Sequence, residues 1–130
     1  MKLKFAPLFV LGLALPTIAA GQIYIGTPTA VDGDTIRVGD ERIRLLGIDA
    51  PERDQICERG GEAWPCGEAA TSQLEALLNG GQIRCEQMGR DRYHRVLARC
   101  KIGASDLSEE LVGGGLAIVT DETDVALMSR

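Results

Sequence analysis

The stretch Arg44-Leu45-Leu46-Gly47-Ile48-Asp49-Ala50-Pro51-Glu52 (RLLGIDAPE) decides how this chain is read. Its first five residues have the composition of a buried strand, and Asp49 and Glu52 then follow around Ala50 and Pro51. A second apolar stretch, Ala30 to Val38 (AVDGDTIRV), breaks the same way at Asp32-Gly33-Asp34. A strand that closes a core gains nothing from carboxylates, because an unpaired buried charge is costly. Two strand-like segments that each deliver acids point to a site at the end of a sheet.

Around these two stretches the pattern is mainly β. Ile23 to Val31 alternates β-branched and aromatic residues and reads as a strand. Thr35 to Val38 continues as a strand, Gly39-Asp40 supplies a hairpin turn, and Arg42 to Ile48 returns. Pro51 to Gly67 reads as a long loop rich in glycine, proline and charge. Glu68 to Leu78 reads as a helix with Ala70, Leu74, Leu77 and Leu78 on one face, stopped by Asn79-Gly80. Gln82 to Gln87 and Arg95 to Ile102 read as strands around a polar turn from Met88 to His94. Asp106 to Val112 reads as a short helix with acids in its first turn, ended by Gly113-Gly114-Gly115. Three strands, a helix, two strands and a helix suit a five-stranded, oligonucleotide-binding type (OB-type) Greek-key barrel with two short helices.

The 130 residues have room for one domain. Residues 1–20 carry Lys2 and Lys4, an apolar run and small residues at Ala19 and Ala20, the pattern of a secretory signal peptide. The run is interrupted by Pro7, Gly12 and Pro16 and is short for a membrane span. The expected mature domain is therefore 21–130, exported to the periplasm or medium, with no membrane segment. All four cysteines (Cys57, Cys66, Cys85 and Cys100) fall within it, and an oxidising compartment suggests two disulfides. Zinc is disfavoured because no short Cys-x-x-Cys knuckle is present and His94 is the only histidine. The expected pairs are Cys57 with Cys66, stapling the long loop, and Cys85 with Cys100, across neighbouring antiparallel strands.

Removing the two leader lysines takes the net charge from -5 to about -7. That balance alone argues against a nucleic-acid partner. The distribution argues for one: Arg84, Arg90, Arg92, Arg95, Arg99 and Lys101 face only Glu86 and Asp91 in the same segment. Asp34 and Asp49 at adjacent strand ends, a main-chain carbonyl and Glu52 nearby make an oxygen-only set suited to Ca²⁺ or Mg²⁺. The plain alternative makes Asp32 and Asp34 turn residues and Asp49 a strand-end cap. Arg44 and Arg95 add planar forks matched to phosphate oxygens. A cation, two such forks and a carboxylate to handle water are the parts of phosphodiester hydrolysis.

VDGDTIRV, IRLLGIDAPE and DRYHRVLA, in this order, resemble the staphylococcal nuclease (thermonuclease) family, and EELVGGGLA is similar to a helix end of that family. The resemblance runs from about Ala30 to Ala117, and a subgroup with paired cysteines exported from bacteria looks closest. It implies one Ca²⁺ held by Asp34, Asp49 and the carbonyl of Ala50. It implies Glu52 as general base or water-orienting group, and Arg44 and Arg95 on the scissile phosphate. Arg92 and Tyr93 match positions that contact a neighbouring phosphate. The implied substrates are DNA and RNA, single strands preferred, cut by a monomer.

Three departures stand out. His94 occupies a turn position that is usually glycine. Ile118, Val119 and Asp121 stand where an aromatic usually packs on the base. The family's long C-terminal helix is reduced to a stub ending at Arg130, so the fold is expected to lean on its disulfides. Two rivals remain: an exported OB module that holds nucleic acid without cutting it, and a structural exported protein whose acids are merely solvated.

Overall fold

The computed structural model describes residues 2–15 and 21–120, so the expected cleavage point near Ala19 and the stretch after Thr120 lie outside the described residues. Residues 2–15 carry no secondary structure and expose Phe5, Leu8, Phe9 and Leu11. Among the described residues no helix is long and apolar enough to cross a membrane.

The first expected strand is two: β1 (Ile23–Gly26) and β2 (Thr29–Asp32). The chain bends between them at Thr27-Pro28, where proline offers no N–H to a ladder. Then follow β3 (Thr35–Val38), β4 (Glu41–Leu45), β8 (Ile83–Arg90) and β9 (Val96–Ile102). The main sheet runs β1-β8-β9-β4-β3-β2, so its two ends are consecutive halves of one bent stretch. Counting that stretch once gives five principal strands rolled back on themselves, the expected OB-type arrangement. β4 and β9 are parallel neighbours, with Arg44 opposite Leu97; the other pairs are antiparallel.

The core lies inside this roll. Ile36, Ile43, Leu45, Ile83, Cys85, Val96, Ala98 and Cys100 face it from the strands. Leu74 and Leu78 of α1 (Cys66–Leu78) and Leu107 and Leu111 of α2 (Leu107–Gly113) cap it. The spacing expected for α1 holds: Ala70, Leu74 and Leu78 are buried, with Leu77 partly so. Asp106 caps α2 by accepting the Glu109 N–H at 3.2 Å. Both expected disulfides are present, Cys57–Cys66 and Cys85–Cys100, the second joining direct register partners of β8 and β9.

Three local readings need correction. The strand expected over Arg42 to Ile48 stops at Leu45, because Gly47 takes φ +83° and turns the chain. Ile48–Asp49 then forms β5, paired with β11 (Ile118–Val119). The loop expected from Pro51 to Gly67 contains a hairpin, β6 (Cys57–Arg59) and β7 (Glu62–Trp64). Its Gly60 and Gly61 have φ of 59° and 80°, the left-handed pair a two-residue hairpin turn requires. Finally, β8 runs on to Arg90 through a register shift between Gln87 and Gly89, so the expected turn at Met88 is a bulge within the strand. The remaining pairing is β10 (Ser105–Asp106) on the edge of β9.

Candidate functional site

Asp34 leaves the β2–β3 turn 7% exposed. Its Oδ1 accepts the Thr35 hydroxyl at 2.9 Å and its Oδ2 accepts the Ala50 N–H at 3.0 Å. Arg44, on β4, sends its guanidinium to both acids: Nη1 lies 3.3 Å from Asp34 Oδ2 and Nη2 3.2 Å from Asp49 Oδ1. Nη1 also donates to the Ile48 carbonyl at 3.1 Å, which fixes the plane of the fork. Burial pushes the Asp49 carboxyl above its ordinary 3.8, and the charge and hydrogen bond of Asp34 add to the rise. Arg44 and the Ala50 N–H offset part of it. Two carboxyls that share the Arg44 fork are thus held where the two acid-bearing stretches meet.

Glycine makes that meeting possible. A Cβ on Gly33, between Asp32 and Asp34, would sit 2.7 Å from Ala70 Cβ and 3.0 Å from Ala50 Cβ. The turn therefore rests directly on α1 and on the Asp49–Ala50 segment. A Cβ on Gly67 would collide with the Glu52 carbonyl, so the first turn of α1 presses on the loop that carries Glu52. Asp32 ties the same loop down by accepting the Arg53 N–H at 2.9 Å. Glu52 itself is exposed, and its N–H bonds Gln55 Oε1 at 3.3 Å.

Arg95 precedes β9. In-register residues of parallel strands share a face, so Arg44 and Leu97 lie on the outer face of the sheet and Arg95, two residues earlier, falls on it too. Asp91, 5% exposed, holds this arginine: Arg95 Nε donates to its Oδ2 at 2.6 Å. The N–H groups of Tyr93 and Arg95 donate to Oδ1, each at 2.9 Å. Burial raises the Asp91 pKa, but these bonds and the Arg95 charge outweigh it, and the carboxyl sits below 3.8. The turn closes through His94, whose φ of +63° matches the expectation that a glycine-type conformation is imposed there.

Residues 42–127 match the family described as staphylococcal nuclease homologue. The chain belongs to the staphylococcal nuclease family. It is 38% identical over 124 residues to the succinoglycan biosynthesis protein ExoI of Rhizobium meliloti, covering 91% of this chain and 64% of that protein. It is 34% identical over 100 residues to an uncharacterized endonuclease of Escherichia coli, with 74% and 59% covered. It is 32% identical over 107 residues to the thermonuclease of Staphylococcus intermedius, with 78% and 61% covered. The chain thus spans less than two thirds of the length of these curated relatives.

Within the staphylococcal nuclease frame, Asp34, Asp49, Ala50 and Arg44 converge, and Arg95 shares the outer face with Arg44. Glu52 stands outside the acid pair, since among the described residues no group of three His, Cys, Asp or Glu gathers to hold a metal. The oxygen-only pair nevertheless suits a hard dication that keeps water in its open positions, because Asp34 and Asp49 offer carboxylate oxygens within reach of one arginine. Arg92 and Tyr93 are exposed on the turn, with the Arg92 guanidinium 4.9 Å from the Tyr93 ring centroid. Asp91 was legible only as one acid among arginines. Its spacing to Arg95, four residues across a tight turn, was the available signal. Asp32 and Gly67 also matter to the site, and single-residue reading had no means of pairing them with Arg53 and Glu52.

Proposed function

We propose that this chain hydrolyses phosphodiester bonds of DNA and RNA with Ca²⁺, preferring extended single strands. The observation that carries this reading is the Arg44 fork spanning the carboxyls of Asp34 and Asp49. The names of the Escherichia coli and Staphylococcus intermedius relatives support a nuclease. Asp34, Asp49 and the Ala50 carbonyl hold the cation, which supplies Lewis-acid polarisation of a phosphoryl oxygen when bound. Glu52, exposed beside the acid pair in sequence, orients water and takes its proton. Arg44 and Arg95 donate to the phosphate oxygens as charge accumulates, and their positions are fixed beforehand by Ile48 and Asp91. Arg92 and Tyr93 steady the neighbouring phosphate. The disulfides fit an exported domain of residues 21–130 that acts as a monomer after loss of residues 1–20.

Asp34→Ala and Asp49→Ala test the assignment by calorimetry and by cleavage. Both variants lose Ca²⁺ binding and cutting together. Arg95→Lys keeps the charge but loses the fork, and turnover falls on the order of a hundredfold with affinity nearly unchanged. Near-normal turnover in Arg95→Lys removes Arg95 from the catalytic set and favours the binding-module alternative.

A further inference from the structure

The β6–β7 hairpin has no part in the chemistry above, yet it borders it. A groove of about 320 Å³ runs between the hairpin and the chain just before β11. Asp49, Ala50, Trp64, the Cys57–Cys66 disulfide and Leu116 to Ile118 line it. That volume is at the lower end of small-molecule clefts, the scale of a planar ring rather than of a chain segment. Most of the lining is apolar, and its charged side chain is Asp49 of the acid pair itself.

The hairpin presents Trp64 in a held position. The Arg59 guanidinium carbon lies 3.8 Å from the ring centroid and covers one face. Trp64 pairs directly across the hairpin with Cys57, which the disulfide anchors to Cys66 at the start of α1. The left-handed Gly60-Gly61 turn lets Arg59 and Glu62 close the hairpin. A ring braced by a cation on one face and by a covalent staple beneath loses little freedom when a flat partner meets it. Trp64 is only half-buried and lines the same groove as Asp49.

We propose that this groove is a nucleobase subsite. A base next to the phosphate that Arg44 and Arg95 hold beside the cation of Asp34 and Asp49 stacks on Trp64 against the apolar residues Leu116 to Ile118. This rests on the nuclease reading and adds to it a residue that reads bases rather than phosphates. Stacking tolerates any base because every base has a π-face, so the subsite strengthens single-strand binding without imposing a strict sequence. A paired duplex keeps its bases stacked on one another and cannot offer them without unpairing.

Trp64 is the only tryptophan of the chain, which makes it its own reporter. In a Glu52→Gln background with Ca²⁺, fluorescence is titrated with a short oligothymidylate and with the same oligonucleotide made fully abasic. The expected result is saturable quenching by the oligothymidylate and none by the abasic strand. Trp64→Leu weakens oligothymidylate binding about tenfold and leaves abasic binding unchanged, while Trp64→Phe retains most of the affinity, all three followed by anisotropy of a labelled strand. Equal quenching by both strands, or equal weakening of both by Trp64→Leu with normal binding in Trp64→Phe, overturns the subsite. A chain that cuts DNA yet shows no base-dependent signal loses the subsite alone. A chain that neither cuts nor binds either strand overturns the nuclease reading together with it.

Discussion

Asp91→Asn is the most informative single change. The side chain is nearly isosteric and stays 5% exposed in the native packing, so no cavity confuses the result. Its remaining oxygen still accepts the Tyr93 and Arg95 N–H groups, which fixes the turn and sets the amide orientation. The NH₂ then points at Arg95 Nε, a donor facing a donor where a 2.6 Å charged bond had been. Hydrogen bonds to charged groups contribute about 1.5–3 kcal/mol. Removing one partner of a fully buried ion pair costs about 3–5 kcal/mol, but the Arg95 side chain is 24% exposed and recovers some hydration, so the lower range applies. About 2 kcal/mol in a domain of this size lowers Tm by roughly 8–16 °C.

The same change frees the Arg95 fork. Turnover should fall roughly tenfold or more while KM changes little, because the fork acts on charge that builds during reaction. In an Arg95→Ala background, Asp91→Asn should then have almost no further effect on turnover. The pH response follows from sign. The folded-state pKa of Asp91 lies below 3.8, so its contribution is present above the unfolded value and is lost as pH falls through the folded one. The Tm gap between wild type and Asp91→Asn should therefore close in acid. Wild-type Tm and turnover in Asp91→Asn at neutral pH would show that this carboxylate does not hold Arg95.

His94→Gly relieves a left-handed conformation worth about 1–2 kcal/mol but adds freedom to the unfolded chain, so thermal melting should rise by a few degrees; a lower Tm would show that the His94 side chain contributes contacts of its own. Gly67→Ala should displace the Glu52 loop at a cost of about 1–3 kcal/mol and depress turnover more than substrate affinity, and unchanged turnover would show that Glu52 is indifferent to that contact. Replacing Cys85 and Cys100 together by alanine opens a loop with a sequence separation of 15, worth roughly 3 kcal/mol in the chain-entropy model, and Tm measured under non-reducing conditions should fall by 10 °C or more.

Period and composition were enough to place β3, β4, β9 and both helices, because there the apolar residues follow the strand or helix repeat and a turn residue ends each run. They misled wherever backbone geometry, rather than burial, set the outcome. Gly47 looks like a weak strand residue and is a left-handed turn. Gly60-Gly61 looks like loop composition and is a hairpin corner. Met88-Gly89 looks like a turn and is a bulge. The site shows the same division. Asp34, Asp49 and Arg44 announce themselves as charges in apolar segments, and the structure brings them together. Asp91 does not, since an acid beside arginines reads as an ordinary surface group until its partners are placed by the fold, and Asp32 stands out as a charge but not as the acceptor of the Arg53 N–H. The bend at Thr27-Pro28, which lets one stretch serve both ends of the sheet, depends on pairing with β8 and β3 and carries only a proline as its local sign.

Cleavage of phosphodiesters by the Asp34–Asp49 pair, with Arg44 and Arg95 and a bound hard cation, is the proposal most open to direct test. The direct measurement incubates the purified chain with linear single-stranded DNA and with RNA, once with Ca²⁺ and once with chelator, and follows fragment length on a denaturing gel. Fragments that accumulate with Ca²⁺, vanish with chelator and vanish again in Asp49→Ala are the predicted result. Strands that stay intact with Ca²⁺, while still shifting with the protein on a native gel, would contradict catalysis and leave a binding module in its place.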